Sequence, residues 1–349
     1  MKRLGASILT GLLMLATGGC RELPEYADAG SRDLYANFDA LSDIISSRYC
    51  YLSEKQINWP DSCRKYRAMI DSKTTEADLF FILSDLLDGL EDGHVNLTAP
   101  FSTSYYKKWW SDYPQDFNKR TLQQYYLKFG GLQTNGMQYL IFMPANVGYI
   151  YFPSFSTAVS DTALDYVLSV LAGTEGLIID IRDNGGGYLS NVGKFVSRFI
   201  DQDVTGGYIR HKTGPGPDDF SEPFRIVYSP AGEERVHYSK PIAVLTNRSC
   251  FSAANNFVAV MKSLPQVRIV GARTGGGGGL PFSSEIPNGW AIRFSSCPIT
   301  DPEDRSTESG IDPTEGYEVH SPEKELAEGK DAILETAIKI LGKNKPDEP

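Results

Sequence analysis

The strongest constraint on the fold lies between Val147 and Ala272, where short apolar runs alternate with amphipathic ones. Residues 148–155 (GYIYFPSF), 176–182 (GLIIDIR), 241–247 (PIAVLTN) and 267–272 (VRIVGA) read as strands. At least two are apolar almost throughout, the pattern of strands covered on both faces. Between them, residues 161–173, 188–200 and 252–263 carry helical spacing. Strand–helix alternation requires crossover connections, so the expected fold is α/β, with a mostly parallel sheet covered by helices. A β-rich interval (204–240), a hairpin around Pro287-Asn288-Gly289 and a last amphipathic helix over 323–341 complete this part, taken as a domain over 147–345.

Upstream the texture is different. Leu34, Phe38, Leu41 and Ile45 fall three to four residues apart, which gives a helix one apolar face. A second helix is predicted over 75–90, burying Leu79, Phe80, Leu83, Leu86, Leu87 and Leu90, with Thr75 and Asp78 as its cap. It runs into Glu91-Asp92-Gly93, then His94 and a short extended segment. A helical N-terminal domain over 31–95 follows from this. Residues 96–146 connect the two parts and hold Tyr105, Tyr106, Trp109, Trp110, Tyr113, Tyr125 and Tyr126. Weak periodicity leaves groove, lid and core all open for this stretch.

The chain starts with Lys2 and Arg3, an apolar run from Ile8 to Ala16, and the small residues Thr17, Gly18 and Gly19 before Cys20. These are the parts of a secretory signal, and the apolar run is too short to span a bilayer. Cys20 stands where a bacterial lipobox places its lipidated cysteine. The expectation is a signal over 1–19, lipid on Cys20, a tether over 20–30 and a place in the cell envelope, on the periplasmic or the outer face. An ordinary cleaved signal with a coincidental cysteine is the other reading.

Export permits disulfides among Cys50, Cys63, Cys250 and Cys297. A Cys50–Cys63 bridge is expected; Cys250 pairs with Cys297 or is a buried thiol. With no CxxC pair and only four histidines, neither a metal nor another cofactor is expected. A net charge of -10 without a basic run argues against nucleic acid as a partner.

Two segments each end a strand with a reactive-looking turn. Asp183-Asn184-Gly185-Gly186-Gly187 lets backbone N–H groups face a site, for an oxyanion or a phosphate, or it is a plain turn. As a phosphate loop it lacks both glycine-rich signatures. In Ser249-Cys250-Phe251-Ser252-Ala253-Ala254-Asn255 a strand feeds a helix that starts near Ser252. That serine is a nucleophile beside a helix N-terminus or simply an N-cap.

Together, Arg182-Asp183-Asn184-Gly185-Gly186-Gly187 and Ser252-Ala253-Ala254-Asn255 resemble the R-x-N-x-G-G and S-x-S-E segments of the C-terminal-processing (tail-specific) peptidase family. The likeness extends over 270–277 and 308–313, while Ala254 and Asn255 depart from it. It implies a crotonase-like α/β peptidase domain, Ser252 as nucleophile, an oxyanion hole from Gly186 and the N–H of Ala253, and a polypeptide substrate. The segment 101–146 is too short for the PDZ module of many relatives.

The Ser-Lys branch of the family carries its lysine just after the position of Thr274, where this chain has Gly275 to Gly279. A serine needs a base to become nucleophilic. The tricorn-like branch uses a histidine in a segment like L-x-D-G-H, matched here by Leu90-Glu91-Asp92-Gly93-His94. The resemblance therefore implies His94 as general base and Glu308 as the carboxylate that orients it. His94 otherwise only closes a helix. His211, His237 and His320 are weaker candidates. The rival functions are a decayed peptide- or lipid-binding protein on the same scaffold and another serine hydrolase, which lacks a G-x-S-x-G elbow. Oligomeric state is not legible.

Overall fold

A computed structural model describes residues 32–128 and 131–342. The expected signal, Cys20, the tether and the last residues of the C-terminal domain lie outside them.

Three helices open the described chain: α1 (Leu34–Arg48), α2 (Trp59–Arg67) and α3 (Glu76–Asp88). Asp33 caps α1, accepting from the N–H groups of Tyr35 and Ala36 at 2.9 and 3.1 Å. Thr75 and Asp78 form a reciprocal capping box on α3. Phe38, Leu41 and Ile45 of α1 and the expected leucines of α3 meet in one core. That core is not closed by the helices alone. Ile286, Trp290, Ile292 and Phe294, from far along the chain, complete it. The helices of the expected N-terminal domain over 31–95 thus share their core with the hairpin around Pro287-Asn288-Gly289.

The connecting stretch forms β1 (Asn96–Ala99), β2 (Ser102–Thr103) and the short α4 (Lys108–Ser111) and α5 (Lys119–Thr121). Then come β3 (Leu132–Thr134), β4 (Met137–Phe142) and β5 (Val147–Tyr151). The predicted alternation follows as α6 (Asp161–Leu171), β6 (Gly176–Asp180) and α7 (Leu189–Val196). The β-rich interval supplies β7 (Val204–Ile209) and β8 (Phe224–Tyr228). The alternation resumes with β9 (Ile242–Thr246), α8 (Ala253–Lys262) and β10 (Val267–Gly271). A hairpin of β11 (Gly279–Glu285) and β12 (Ala291–Thr300) precedes α9 (Glu323–Ala327) and α10 (Ala332–Leu341).

One sheet runs β10-β9-β6-β5-β4-β3; its pairs from β10 to β5 are parallel and its last two antiparallel. α6, α7 and α8 cover one face in an apolar core that includes Leu164, Val192, Phe195 and Phe257. α10 and Phe117, Leu122 and Leu127 cover the other. The aromatic-rich stretch is therefore core at its end. A second, antiparallel sheet runs β2-β1-β12-β7-β8, with β11 on β12. It ties the N-terminal helices to the rest.

Two expectations fail. The last helix is split, because Gly329 adopts φ +90° and a Cβ there would stand 2.4 Å from the Tyr125 ring. Asp331 then caps a fresh helix through the Leu334 N–H. Nor are Cys50 and Cys63 bonded; all four described cysteines are free thiols. Cys63 Sγ lies 3.0 Å from Ser42 Oγ, whereas Cys50 is buried beside β12, its N–H donating to Ser295 O. Cys250 is the buried thiol, its Sγ–H facing Ile181 O at 3.1 Å.

Candidate active site

The turns that follow β6 and β9 meet at the carboxyl edge of the parallel sheet, the usual site position in such sheets. Arg182, fully buried, builds the first. Its guanidinium donates to both oxygens of Asp180 at 2.9 and 2.7 Å and to Asp331 Oδ1 at 2.8 Å, and lies over the Phe117 ring. This locks the end of β6 to the start of α10. Asn184 shapes the turn itself. Its Oδ1 accepts from Gly186 N–H at 2.9 Å and Phe155 N–H at 3.3 Å, while Nδ2 donates to Phe152 O.

Gly186 is pressed against the nucleophile turn. A Cβ there would stand 2.6 Å from Phe251 O and 2.9 Å from the nitrogen of Ala253, which no side chain permits. Ala253 N–H, at the start of α8, has no partner among the described residues. Gly186 N–H, expected beside it in an oxyanion hole, is instead engaged by Asn184.

Ser252 has φ +58° and ψ -122°, which L-residues rarely adopt and which costs about 1–3 kcal/mol. Backbone bonds on either side hold it: Phe251 N–H to Asn184 O, Ser252 N–H to Gly276 O, and Gly275 N–H to Cys250 O. Its hydroxyl makes no cap bond to α8, so the N-cap reading of its side chain fails. The Oγ lies 3.0 Å from His94 Nε2.

His94 arrives from the opposite wall, on the turn after α3. Its backbone N–H donates to Asp92 Oδ1 at 2.7 Å, and Ser295 Oγ donates to Asp92 Oδ2 at 2.7 Å. The ring packs on Phe251, with centroids 4.6 Å apart, and Phe251 stacks on Trp109 at 4.2 Å. Burial holds the imidazole well below its ordinary value, at about 4, although Asp92 pulls the other way. Nδ1 has no hydrogen-bond partner among the described residues.

Glu308 does not sit on the imidazole. Its Oε1 accepts from Lys55 Nζ at 2.8 Å and its Oε2 from Gly278 N–H at 3.0 Å. Burial first, and repulsion by Asp92 second, push its carboxyl up, while Lys55 pulls it back. Lys55 also donates to the carbonyls of Leu90 and Glu91, both at 3.1 Å. The group expected to orient the base therefore acts at one remove, holding Lys55, which grips the backbone before His94. The other histidines lie elsewhere: His211 beside Cys297, His320 on Asp116, and His237 away from the cleft.

The glycine run has a steric cause. A Cβ on Gly275 would stand 2.4 Å from the Trp109 ring, and one on Gly277 2.5 Å from the Phe251 ring. The space that a longer side chain would need here is filled by the aromatic stack behind His94. Asn255, where the family has glutamate, accepts from Thr274 Oγ1 at 2.6 Å and donates to Thr307 O at 3.1 Å; a carboxylate could not donate. Trp109, Phe251 and Lys55 carry no motif, and Asp92 stood in the L-x-D-G-H segment without a role of its own. Only the aromatic density around 105–113 pointed towards Trp109.

Ser252 and His94 open into one cleft of about 630 Å³, lined also by Gly185 to Gly187, Tyr105, Trp109 and Leu280.

Residues 146–316 match the model of peptidase family S41, and residues 34–88 match the tricorn protease C1 domain. A solved structure of a putative peptidase from Parabacteroides merdae is 40% identical, with a TM-score of 0.84, over 88% of this chain and 96% of that one. The carboxy-terminal processing protease CtpA of Bacillus subtilis is 26% identical over 151 residues, 43% of this chain and 30% of that protein. An uncharacterized protein of Chlamydia muridarum is 44% identical over 66 residues, 19% of this chain and 11% of that protein. The chain thus matches only a minor part of the length of these curated relatives.

Proposed function

The chain belongs to peptidase family S41, and from that premise we propose that it hydrolyses polypeptides through an acyl-enzyme on Ser252, with His94 as general base. The observation that carries this reading is the 3.0 Å contact between His94 Nε2 and a Ser252 hydroxyl that caps nothing.

The chemistry follows from the geometry. A buried imidazole is neutral near pH 7, so Nε2 accepts the Ser252 proton as Oγ attacks the scissile carbonyl. The oxyanion forms beside the free Ala253 N–H at the start of α8. Gly186 N–H supplies a second donor by exchanging Asn184 Oδ1 for the substrate oxygen; Asn184 keeps Phe155 N–H. The imidazolium returns its proton to the leaving amine, and water, deprotonated by the same ring, releases the acyl group. Lys55 and Glu308 act as positioning residues, fixing the Leu90 and Glu91 carbonyls that lead to His94.

Lipid on Cys20 and a place in the cell envelope belong to the same proposal, supported by the charged, apolar and small-residue pattern of residues 1–20. Cys20→Ala is expected to move the protein from the membrane to the soluble fraction.

A fluorophosphonate probe tests the reading. It should label the wild-type chain near pH 7–8 and leave Ser252→Ala unlabelled, and labelling should track peptide cleavage. An unlabelled wild type that still binds peptides would instead favour the decayed, binding-protein reading.

A further inference from the structure

One cation faces the cleft without an anion. Along β12, Ile292 and Phe294 point into the core shared with the N-terminal helices, and the alternation of a strand sends Arg293 to the other face. There it lines the cleft that holds Ser252, His94 and Gly186. Among the described residues no Asp, Glu or Lys and no other Arg lines that cleft. The residues opposite Arg293 on the neighbouring strands, Asn96 and Ser283, are uncharged. Its one hydrogen bond, from Nη1 to His94 O, is long at 3.5 Å, and no carboxylate lies within ion-pair distance among the described residues. Asp92, the carboxylate whose charge it feels, has both oxygens taken by His94 N–H and Ser295 Oγ.

A half-buried guanidinium normally has a carboxylate, because its fork of donors is costly to leave unmet. Here the residue borders the space where a peptide must lie to reach Ser252. We propose that Arg293 receives a carboxylate of the substrate, either the peptide's own C-terminus or an acidic side chain close to the scissile bond. The inference rests on the reading of this cleft as a peptidase site and names what that site selects. Planar, paired N–H···O contacts to the carboxylate would orient the peptide on Ser252, within an acidic protein whose overall field offers an anion no attraction.

The test uses the full-length chain and one peptide sequence in four forms: free acid or amide at the C-terminus, combined with Glu or Gln near the cleaved bond. The wild type is expected to favour the forms that carry the recognised carboxylate. Arg293→Gln should lower kcat/KM on those forms by about 10- to 100-fold and change the fully neutral peptide less than about threefold. Arg293→Lys should recover part of the preference. Whichever pair discriminates, acid against amide or Glu against Gln, identifies the source of the carboxylate. Equal losses on all four forms, or a wild type indifferent to them, would overturn the proposal in favour of a structural hold on His94 O. Dissociation constants of the same peptides for Ser252→Ala and Ser252→Ala/Arg293→Gln read the preference without turnover. Failure of the hydrolase reading and failure of the Arg293 proposal are therefore seen separately.

Discussion

The two walls of the cleft are built on different principles. On the Ser252 wall, the strained and buried side chains are tied by directed bonds: Arg182 to two carboxylates, Asn184 to three backbone groups, and Ser252 between backbone bonds to Asn184 and Gly276. On the His94 wall, the imidazole has no bond at Nδ1 among the described residues and is held by ring packing and a grip on the preceding backbone. The first arrangement fixes geometry against strain. The second leaves the proton-accepting ring neutral and its basicity open to adjustment by its surroundings. In the proposed mechanism a rigid nucleophile and a packed base meet, each stabilised in the way its chemistry requires.

The largest expected effect tests whether the walls work as one device. Ser252→Ala and His94→Ala should each lower kcat by roughly 10⁴- to 10⁶-fold, and the double variant should be no worse than either. Retention of more than a percent of activity in His94→Ala would mean that another group serves as base. Next, Arg182→Met should destabilise the chain by about 3–5 kcal/mol, because it strands two buried carboxylates. Asp92→Asn keeps the His94 N–H contact and should cost far less; comparable losses in thermal melts would remove the contrast between the walls.

The pH dependence sharpens the comparison further. The His94 pKa is depressed from an ordinary 6.5 to about 4, so the folded state resists a proton that the unfolded chain accepts. Stability from this group is complete above pH 6.5 and is lost as pH falls towards 4, by about 3 kcal/mol in all. The acid limb of kcat/KM should accordingly lie well below 6.5, and a limb at or above 6.5 would show the ring to be hydrated rather than packed. The smallest effect belongs to Lys55→Met, which releases the Leu90 and Glu91 carbonyls. It should lower kcat and the labelling rate about tenfold with little change in KM.

The nucleophile wall was largely legible in the sequence, because its features are local: apolar strands, a glycine turn and a serine at a helix start all sit within a few residues. The base wall was legible only at His94, through a five-residue segment. Its supports come from distant positions, Lys55, Phe251 and Ser295, whose chemistry is ordinary until the fold brings them together. Glu308 was placed near the right site but on the wrong partner, since spacing along the chain does not reveal which donors reach a buried carboxylate. The disulfide expectation failed for the same reason: the Cys50–Cys63 loop is short in sequence, yet the two thiols face different neighbours. The last helix was read as continuous because its apolar spacing continues across Gly329, and the sequence did not show that this glycine turns to a positive φ before Asp331 caps a new helix.

The core that α1 and α3 share with β12 sets the order in which this molecule comes into being. Asp92 and Ser295, which meet beside His94, are 203 residues apart. A ribosome delivers the N-terminal helices long before the strand that seals them, and contacts so distant in sequence close late. The strand that seats His94 is thus made well after the helices it completes. Assembly of the Ser252–His94 pair then acts as a clock: the nascent chain must pass through the synthesis of β12 before it holds a working blade.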